Sequence, residues 1–534
     1  MLIPSILVKY YRVIINFFYA QIRRIQHSGR MGVVCLATFI AASHAVASPC
    51  SEALHPAQIQ GAGAASPIEG QRVTARGVVT LVTPSIGGFF IQAEPNGNPM
   101  ASDGLFIYAP HASATVGTEL AITGEVKEFH GLTELTRVEQ IDLCGQLELP
   151  SPVLLGPEQK IGEALENMRV QLPKTTIIDN FQLIRVGEII VGAGAQRWRL
   201  EDASNQRQLT ELPWGVVQDA TWLANGNEVA PLTGVLTWRW GRWVILPEHP
   251  VEITRQDWQR PGPDPDQLRI VSFNVENAFN GTAGSFRGSR GARNNEQWLA
   301  QRQKLISAMD QLDADLLLLQ ELQHDRGLAT PVVPELISGL EREYRALVPY
   351  RQPGDDAITN AILYDPAQLQ AVGDLQRIDT HPRPALLQQF KRLDRDESFW
   401  VIVVHMKSRG RNCVLLCKAE RAEELDLIIT TLEALSIQER TILAGDFNTL
   451  TGESLWQPLI EQGWQHLTIH EPTYWFRGQA QQIDHFWVRG FDESLSAWAQ
   501  PGHAEMPPMD YLNPLYQPAR PWGASDHNPI IMHW

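Results

Sequence analysis

Six short stretches of this sequence end or begin apolar runs with residues that can hold a metal ion or move a proton. "RIVSFN" ends in Asn274, "DLLLLQE" in Glu321, "VIVVH" in His405 and "TILAGD" in Asp446, with Asn448 just beyond. "QID" places Asp484 at the start of another run, and "ASDHNP" places Asp526 and His527 just before the last one. A single Asp or Asn at a strand edge is ordinary turn chemistry. A whole set of strands that each present Asp, Glu, Asn or His reads as a site, because open sheets bind ligands where strand ends converge. The inventory suits cleavage of a phosphodiester. Glu321 and Asp526 are hard oxygen ligands for Mg2+, Mn2+ or Ca2+ rather than zinc. A histidine held by a carboxylate can activate water, and amide or imidazole donors can meet charge developing on phosphate oxygens.

The elements that must carry these residues alternate between strand and helix from about 267 to 534. "NEQWLAQRQKLISAMDQL" spaces Trp298, Leu305, Met309 and Leu312 as a helix face, with Asn294 or Asn295 as its cap. "KAERAEELDLIITTLEAL" does the same with Leu425, Ile428, Leu432 and Leu435. An α/β domain is the expectation. By pleat parity His485 faces away from its neighbour Asp484 and reads as structural. Tyr474 and Trp475 read as packing rather than base stacking.

Ahead of that domain the chain reads as β throughout. Residues 48–150 hold "GQRVTARGVVTLV", "GGFFIQ", "DGLFIYAP" and "TELAITGEVKEFHGLTEL", which fit a small barrel of the oligonucleotide-binding (OB) kind. Residues 151–258 continue in the same style as a second β-rich domain. A proline-rich linker at 259–266, within "RPGPDPDQ", precedes the α/β part.

At 534 residues the chain exceeds one ordinary core. Its net charge of −16 argues against coating nucleic acid by bulk attraction, but leaves room for a local basic groove. Two candidates follow site strands: Arg287, Arg290, Arg293, Arg302 and Lys304, then Lys407, Arg409, Arg411 and Lys418. Arg421, a turn further on, is placed to bind a substrate phosphate. Residues 1–47 read as a signal region, with Arg23, Arg24 and Arg30 before the apolar "MGVVCLATFIAA" and a small-residue cleavage site at Ala45-Val46-Ala47. An N-terminal membrane anchor is the rival. Removing the signal leaves Cys50, Cys144, Cys413 and Cys417, which suggest a Cys50–Cys144 disulfide closing the first domain and a Cys413–Cys417 link pinning a loop. Metal binding by the second pair is the alternative. These features predict a secreted or periplasmic monomer without stable membrane association after cleavage.

In order along the chain, "SFN", "QE", "VHMKS", "GDFN", "QIDH" and "SDH" resemble the motif set of the exonuclease–endonuclease–phosphatase superfamily. That superfamily includes pancreatic-type deoxyribonuclease, abasic-site endonucleases, sphingomyelinases and inositol-phosphate phosphatases. The wider chain is similar to its secreted bacterial nucleases, which carry a β-barrel ahead of the nuclease domain. The resemblance implies a two-sheet αββα sandwich and a secreted metal-dependent nuclease acting on DNA. It implies Glu321 as principal metal ligand with Asn274 beside it and Asp526 supporting the metal or the histidine. His527 is implied as general base, or as the histidine facing the scissile phosphate, oriented by Asp484. Asp446 is implied for the water or leaving oxygen, Asn448 for a phosphate oxygen, and His405 as second catalytic histidine with Asp356 as its candidate acidic partner. A phosphomonoesterase or sphingomyelinase-like phospholipase of the same fold stays open, as does an inactive nucleic-acid-binding protein.

Overall fold

The computed structural model describes residues 49–534 except 157–158, 202–219, 282–285, 287–290, 325–330, 350–355, 411–413, 493–494 and 508–518. The signal region, Arg287, Arg290, Arg411 and Cys413 lie outside the described residues.

Five strands close into a barrel: Arg72–Thr83, Gly88–Gln92, Gly104–Tyr108, Thr118–Phe129 and Leu132–Gln146. The first strand pairs antiparallel with both the second and the fourth. β-branched and aromatic residues fill the interior, among them Val79, Phe89, Ile91, Ile107 and Ile122. A disulfide joins Cys50 to Cys144 on the last barrel strand, 94 residues apart. Closing so long a loop is worth about 4–5 kcal/mol in the chain-entropy account. Cys417 is buried and also disulfide-bonded.

Residues Val153–Thr254 form a nine-stranded sheet around its own core, including Val170, Ile177, Val191, Leu200 and Ile245. The barrel packs on this middle domain through Phe90, Phe106 and Leu132 against Val235, Val244 and Leu246.

The remaining strands build two six-stranded sheets. The first runs Arg345–Leu347, Ile358–Tyr364, Leu316–Gln323, Arg269–Ala278, Ile530–His533, Ser496–Ala499. The second runs Leu369–Ile378, Ala385–Arg392, Ser398–His405, Thr441–Asp446, Asp484–Arg489, Gln465–Leu467. The strands alternate with period two. Ile270, Leu316, Leu318, Ile530 and Met532 of one sheet share a core with Val401, Val403, Ile442, Ala444, Phe486 and Val488 of the other. Val271, Phe273, Leu317 and Leu319 point outward under helix Asn295–Leu312, which buries Trp298, Leu305, Met309 and Leu312. Ile402, Val404, Leu443 and Trp487 do the same under helix Val414–Ala434 through Leu425, Ile428 and Leu432. The layers are therefore helix, sheet, sheet, helix.

The first of these helices starts where Asn294 accepts the Gln297 amide at 2.9 Å. Leu435 does not join the second helix's apolar stripe. It follows the last helical residue, the chain turns through Ser436 at φ 53°, and the side chain is exposed. Among the described residues no helix is long and apolar enough to cross a membrane.

Candidate active site

The inter-sheet core changes character at one end of the sandwich. Stepping two residues on from Val403, Ala444 and Phe486 along the shared face reaches His405, Asp446 and Asp484. Register places all three in a single row across adjacent strands: His405 opposite Asp446, and Asp446 opposite Asp484. Such a row needs close strands. Gly445 sits at φ 146°, and a Cβ there would lie 2.0 Å from the Val404 carbonyl oxygen. Glycine is the residue that permits this approach.

On the facing sheet Asn274 pairs with Gln320, and Glu321 stands in a bulge between Leu319 and Leu322. Glu321 is left-handed at φ 63°, as are Asn448 at 50° and the consecutive Glu276 and Asn277 at 50° and 49°. Non-glycine residues in that region cost of order 1–3 kcal/mol and cluster at functional sites. The bent segment after Asn274 uses its conformation at once, since the Asn277 amide donates to Glu321 Oε2 at 3.0 Å.

Asp446 Oδ2 is the hub. Asn274 Nδ2 donates to it at 3.1 Å, His405 Nε2 lies 3.4 Å away and His527 Nε2 lies 3.9 Å away. Its other oxygen, Oδ1, accepts the Asn448 amide at 2.8 Å, and Asn448 Nδ2 donates to the Met406 carbonyl at 3.2 Å. Glu321 Oε1 stands 3.8 Å from His405 Nε2. His527 Nδ1 donates to Asp484 Oδ2 at 2.9 Å. All of these side chains are buried, and Asp526 beside them is half-buried.

Burial sets the electrostatics. Asp446 is pushed up to about 7 by desolvation, with Asp484 and Glu321 adding like charge against the opposing pull of His527 and the Asn448 amide. Burial alone would lower His527, yet the charge and hydrogen bond of Asp484, with Asp446 and Asp526, hold it up at about 10. His485, one residue from Asp484, faces the other way. Burial pushes it down to about 3, and its Nε2–H donates to the Thr449 carbonyl at 2.8 Å.

The site residues read from the sequence thus converge, and the structure adds the ones that hold them. Ser525 Oγ donates to the Asn274 carbonyl at 2.6 Å and accepts the His527 amide at 3.1 Å, tying the end of strand Arg269–Ala278 to the segment that carries His527 into its neighbour Ile530–His533. Thr473 Oγ1 accepts the amides of Ile483 and Asp484. Tyr474 is more than remote packing: its ring lies 4.8 Å from the His527 imidazole. Asp356 is ion-paired at 2.8 Å with Arg383, whose guanidinium also donates to the carbonyls of His405 and Met406. Arg383 in "HPRPALL" has no motif spacing that would single it out.

The first basic cluster is partly spent inside the fold. Lys304 is buried and donates to the Arg520 carbonyl, and Arg302 donates to the Glu335 carbonyl. Arg409 is exposed and reaches Gln481 at 3.2 Å. Arg421 is buried, with Nη1 on the Lys407 carbonyl at 3.0 Å and no hydrogen-bond partner for Nε.

The Endonuclease/Exonuclease/phosphatase family profile matches residues 271–527, the stretch that contains every site residue above. Residues 271–527 are a domain of that family. Family members hydrolyse phosphoester bonds and are typically dependent on a divalent metal. Glu321 and Asn274 bring side-chain oxygens, the hard donors that fit such an ion, to the same end of the sandwich, beside the Asp446, Asp484 and His527 cluster whose donor atoms lie within 4.8 Å of one another. Neutral-pH crowding of Asp446 by Glu321 and Asp484 is the charge imbalance a cation would offset. Among solved structures, the family domain is similar to a functionally unknown conserved protein from Enterococcus faecalis (20% identity, 50% of this chain and 98% of that one, TM-score 0.35). It is similar to a mannosyl-6-phosphatase from Bacteroides thetaiotaomicron (17%, 50% and 98%, 0.34) and to D. rerio TDP2 complexed with a single-strand DNA product (14%, 50% and 98%, 0.35). The chain matches none of the curated proteins compared with it.

Proposed function

We propose that this protein is a secreted, metal-dependent nuclease that hydrolyses phosphodiester bonds of extracellular DNA. The observation that carries the reading is the Asp446 hub, where one carboxylate oxygen faces Asn274, His405 and His527 from both sheets. A scissile phosphate at this end of the sandwich meets two imidazoles and the Asn448 side-chain NH2, which spends one hydrogen on the Met406 carbonyl and has a second to give, the donors that stabilise charge growing on phosphoryl oxygens. His527 is the stronger of these. Asp484 fixes its Nδ1–H and sustains its positive charge, leaving Nε2 free to bind the phosphoryl oxygen or exchange a proton. Asp446, held near neutrality by burial, exchanges a proton with the attacking water or the leaving oxygen.

Glu321, Asp526 and the Asn274 side-chain oxygen would hold the divalent cation, Mg2+ or else Mn2+ or Ca2+. When bound, it neutralises charge on the phosphate and the leaving oxygen. Arg421, with a buried and unpartnered Nε, supports a neighbouring phosphate of a polymer. The five-stranded barrel, read as an OB fold, supports a nucleic-acid partner. The Cys50–Cys144 disulfide supports an oxidising, extracellular or periplasmic location.

The test is incubation of the purified chain beginning at Ser48 with supercoiled plasmid, linear DNA, RNA and a phosphomonoester, with Mg2+ and with EDTA. Cleavage of DNA that EDTA abolishes is the expected result. Turnover confined to the monoester would replace the nuclease reading with a phosphatase.

A further inference from the structure

We propose that Glu505 is a positioning residue through which the middle β domain holds the His527–Asp484 pair, a role that rests on the reading of that pair as catalytic. Glu505 sits in the turn after Gly502 and is 2% exposed. Its carboxylate is fully engaged. Oε2 accepts the Gly502 amide at 2.7 Å, while Oε1 accepts Asn528 Nδ2 at 2.7 Å and Trp475 Nε1 at 3.4 Å.

Asn528 directly follows His527, so its restraint is the restraint of the histidine backbone. Asn528 Oδ1 accepts the amides of His503 and Ala504 at 3.1 and 3.0 Å. Its Nδ2 also donates to the Pro472 carbonyl at 2.9 Å, and its amide donates to the Thr473 carbonyl at 2.8 Å. Thr473 passes the same frame to the other partner, because its hydroxyl accepts the Asp484 amide at 3.2 Å. The ring on His527 belongs to Tyr474, the residue between Thr473 and Trp475. Both halves of the pair therefore hang on one frame, and Glu505 is its anchor.

The other side of Glu505 faces the middle domain. Its carbonyl accepts the Asn225 amide at 2.7 Å and Asn180 Nδ2 at 2.9 Å. Asn180 is itself fixed on the Leu223 carbonyl at 2.8 Å. The next side chain, Met506, packs into the middle domain's core. The middle domain thus gives two hydrogen bonds, from Asn180 and Asn225, to the turn that clamps Asn528 and receives that turn's Met506 in its core. An error of 1 Å in a reacting group costs on the order of 100-fold in rate, so the clamp sits where small movements matter.

Glutamine at 505 keeps the shape but offers one acceptor oxygen and an NH2 group, which opposes the Gly502 amide or the Asn528 side chain. In the full chain, Glu505→Gln should lower kcat on plasmid DNA by roughly tenfold with KM little changed, since substrate contacts are untouched. Placed in a His527→Ala background, the same change should cost nothing further. Hydrogen exchange should quicken in 472–484 and 502–507 while the melting temperature stays near wild type. Asn180→Ala should give the same pattern in weaker form and serves if Glu505→Gln does not fold. Wild-type kcat with wild-type exchange, or an equal loss in the His527→Ala background, would overturn the proposal. A wild-type chain that cleaves no phosphoester would remove the functional reading. The exchange measurement would still decide whether Glu505 holds the frame.

Discussion

Asp484 and His485 are neighbours on one strand and serve two regions that differ in almost everything but burial. On the inter-sheet face, Asp484 meets His527 and raises it to about 10. On the outer face His485 lies among Trp456, Phe447 and His466, and burial pushes it down to about 3. Both imidazoles are nearly without solvent. The difference lies in the partner of each ring. His527 gives Nδ1–H to a carboxylate, whereas His485 gives Nε2–H to a carbonyl and faces His466 Nε2 at 3.1 Å. A buried ring is charged when an anion is built beside it and neutral when the neighbours are dipoles and aromatic faces. One face holds a charge; the other is packing that happens to contain nitrogen.

The largest expected effect tests the charged face. His527→Ala should lower turnover of DNA by about 10²-fold or more, the scale of one acid–base group. Asp484→Asn should be nearly as damaging, and the double variant little worse than either, because the two act as a unit. Fully additive losses in that cycle would show that the pair does not cooperate.

Asp446→Asn comes next, with a similar loss of about 10²-fold. Here stability should move the other way. The unfolded carboxyl loses its proton above about 3.8, while the folded one keeps it to about 7, so this residue costs stability as pH rises through that window. Melting curves in EDTA should therefore show the Asn variant gaining on wild type from pH 4 to pH 8. A variant that melts lower at pH 8 would give Asp446 a structural role.

The neutral face predicts the opposite sign and no loss of rate. For His485 the unfolded ring takes up a proton as pH falls below 6.5, and the folded ring resists until about 3. Wild type should lose stability relative to His485→Gln as pH drops through that window, with kcat per folded molecule unchanged. A large fall in kcat would merge the two faces. The smallest effect is expected far from both, at Glu166 beneath the barrel. Burial pushes it up to about 8, with Glu163 and Glu128 adding to it. Glu166→Gln should gain stability over wild type between pH 4.5 and 8 and leave cleavage untouched, measured by chemical denaturation at each end of the window.

Much of this was legible because the strand ends obey period two. Val401, Val403 and His405 occupy alternate positions, as do Ile442, Ala444 and Asp446, so a polar residue closing an apolar series announces a site at the rim of a core. The opposite orientation of His485 follows from the same parity. What the sequence hid is what depends on tertiary approach. Thr473 and Glu505 act through backbone amides and side chains brought together from distant segments, and nothing in their spacing marks them; Ser525 and Asn528 lie within "ASDHNP", but their bonds to the Asn274 carbonyl and the His503 and Ala504 amides appear only in the fold. Lys304 and Arg302 look like a basic surface in one dimension. Their helix turns one into the interior and the other onto a carbonyl. Tyr474 reads as packing in the sequence, and only the fold sets its ring on the His527 imidazole.

The order of the first sheet also bears on when the site can be assembled. Strand Ile530–His533 is inserted between Arg269–Ala278 and Ser496–Ala499, and it comes last in sequence among the sandwich strands. His527 and the Ser525 bridge immediately precede it. A chain still being synthesised holds Asn274, Glu321, His405, Asp446 and Asp484 well before it holds the histidine that completes them. During that interval the place between Arg269–Ala278 and Ser496–Ala499 is unfilled and the site lacks its charged ring. His527 is therefore the last of these residues to join the site, and it does so only when strand Ile530–His533 pairs with Arg269–Ala278.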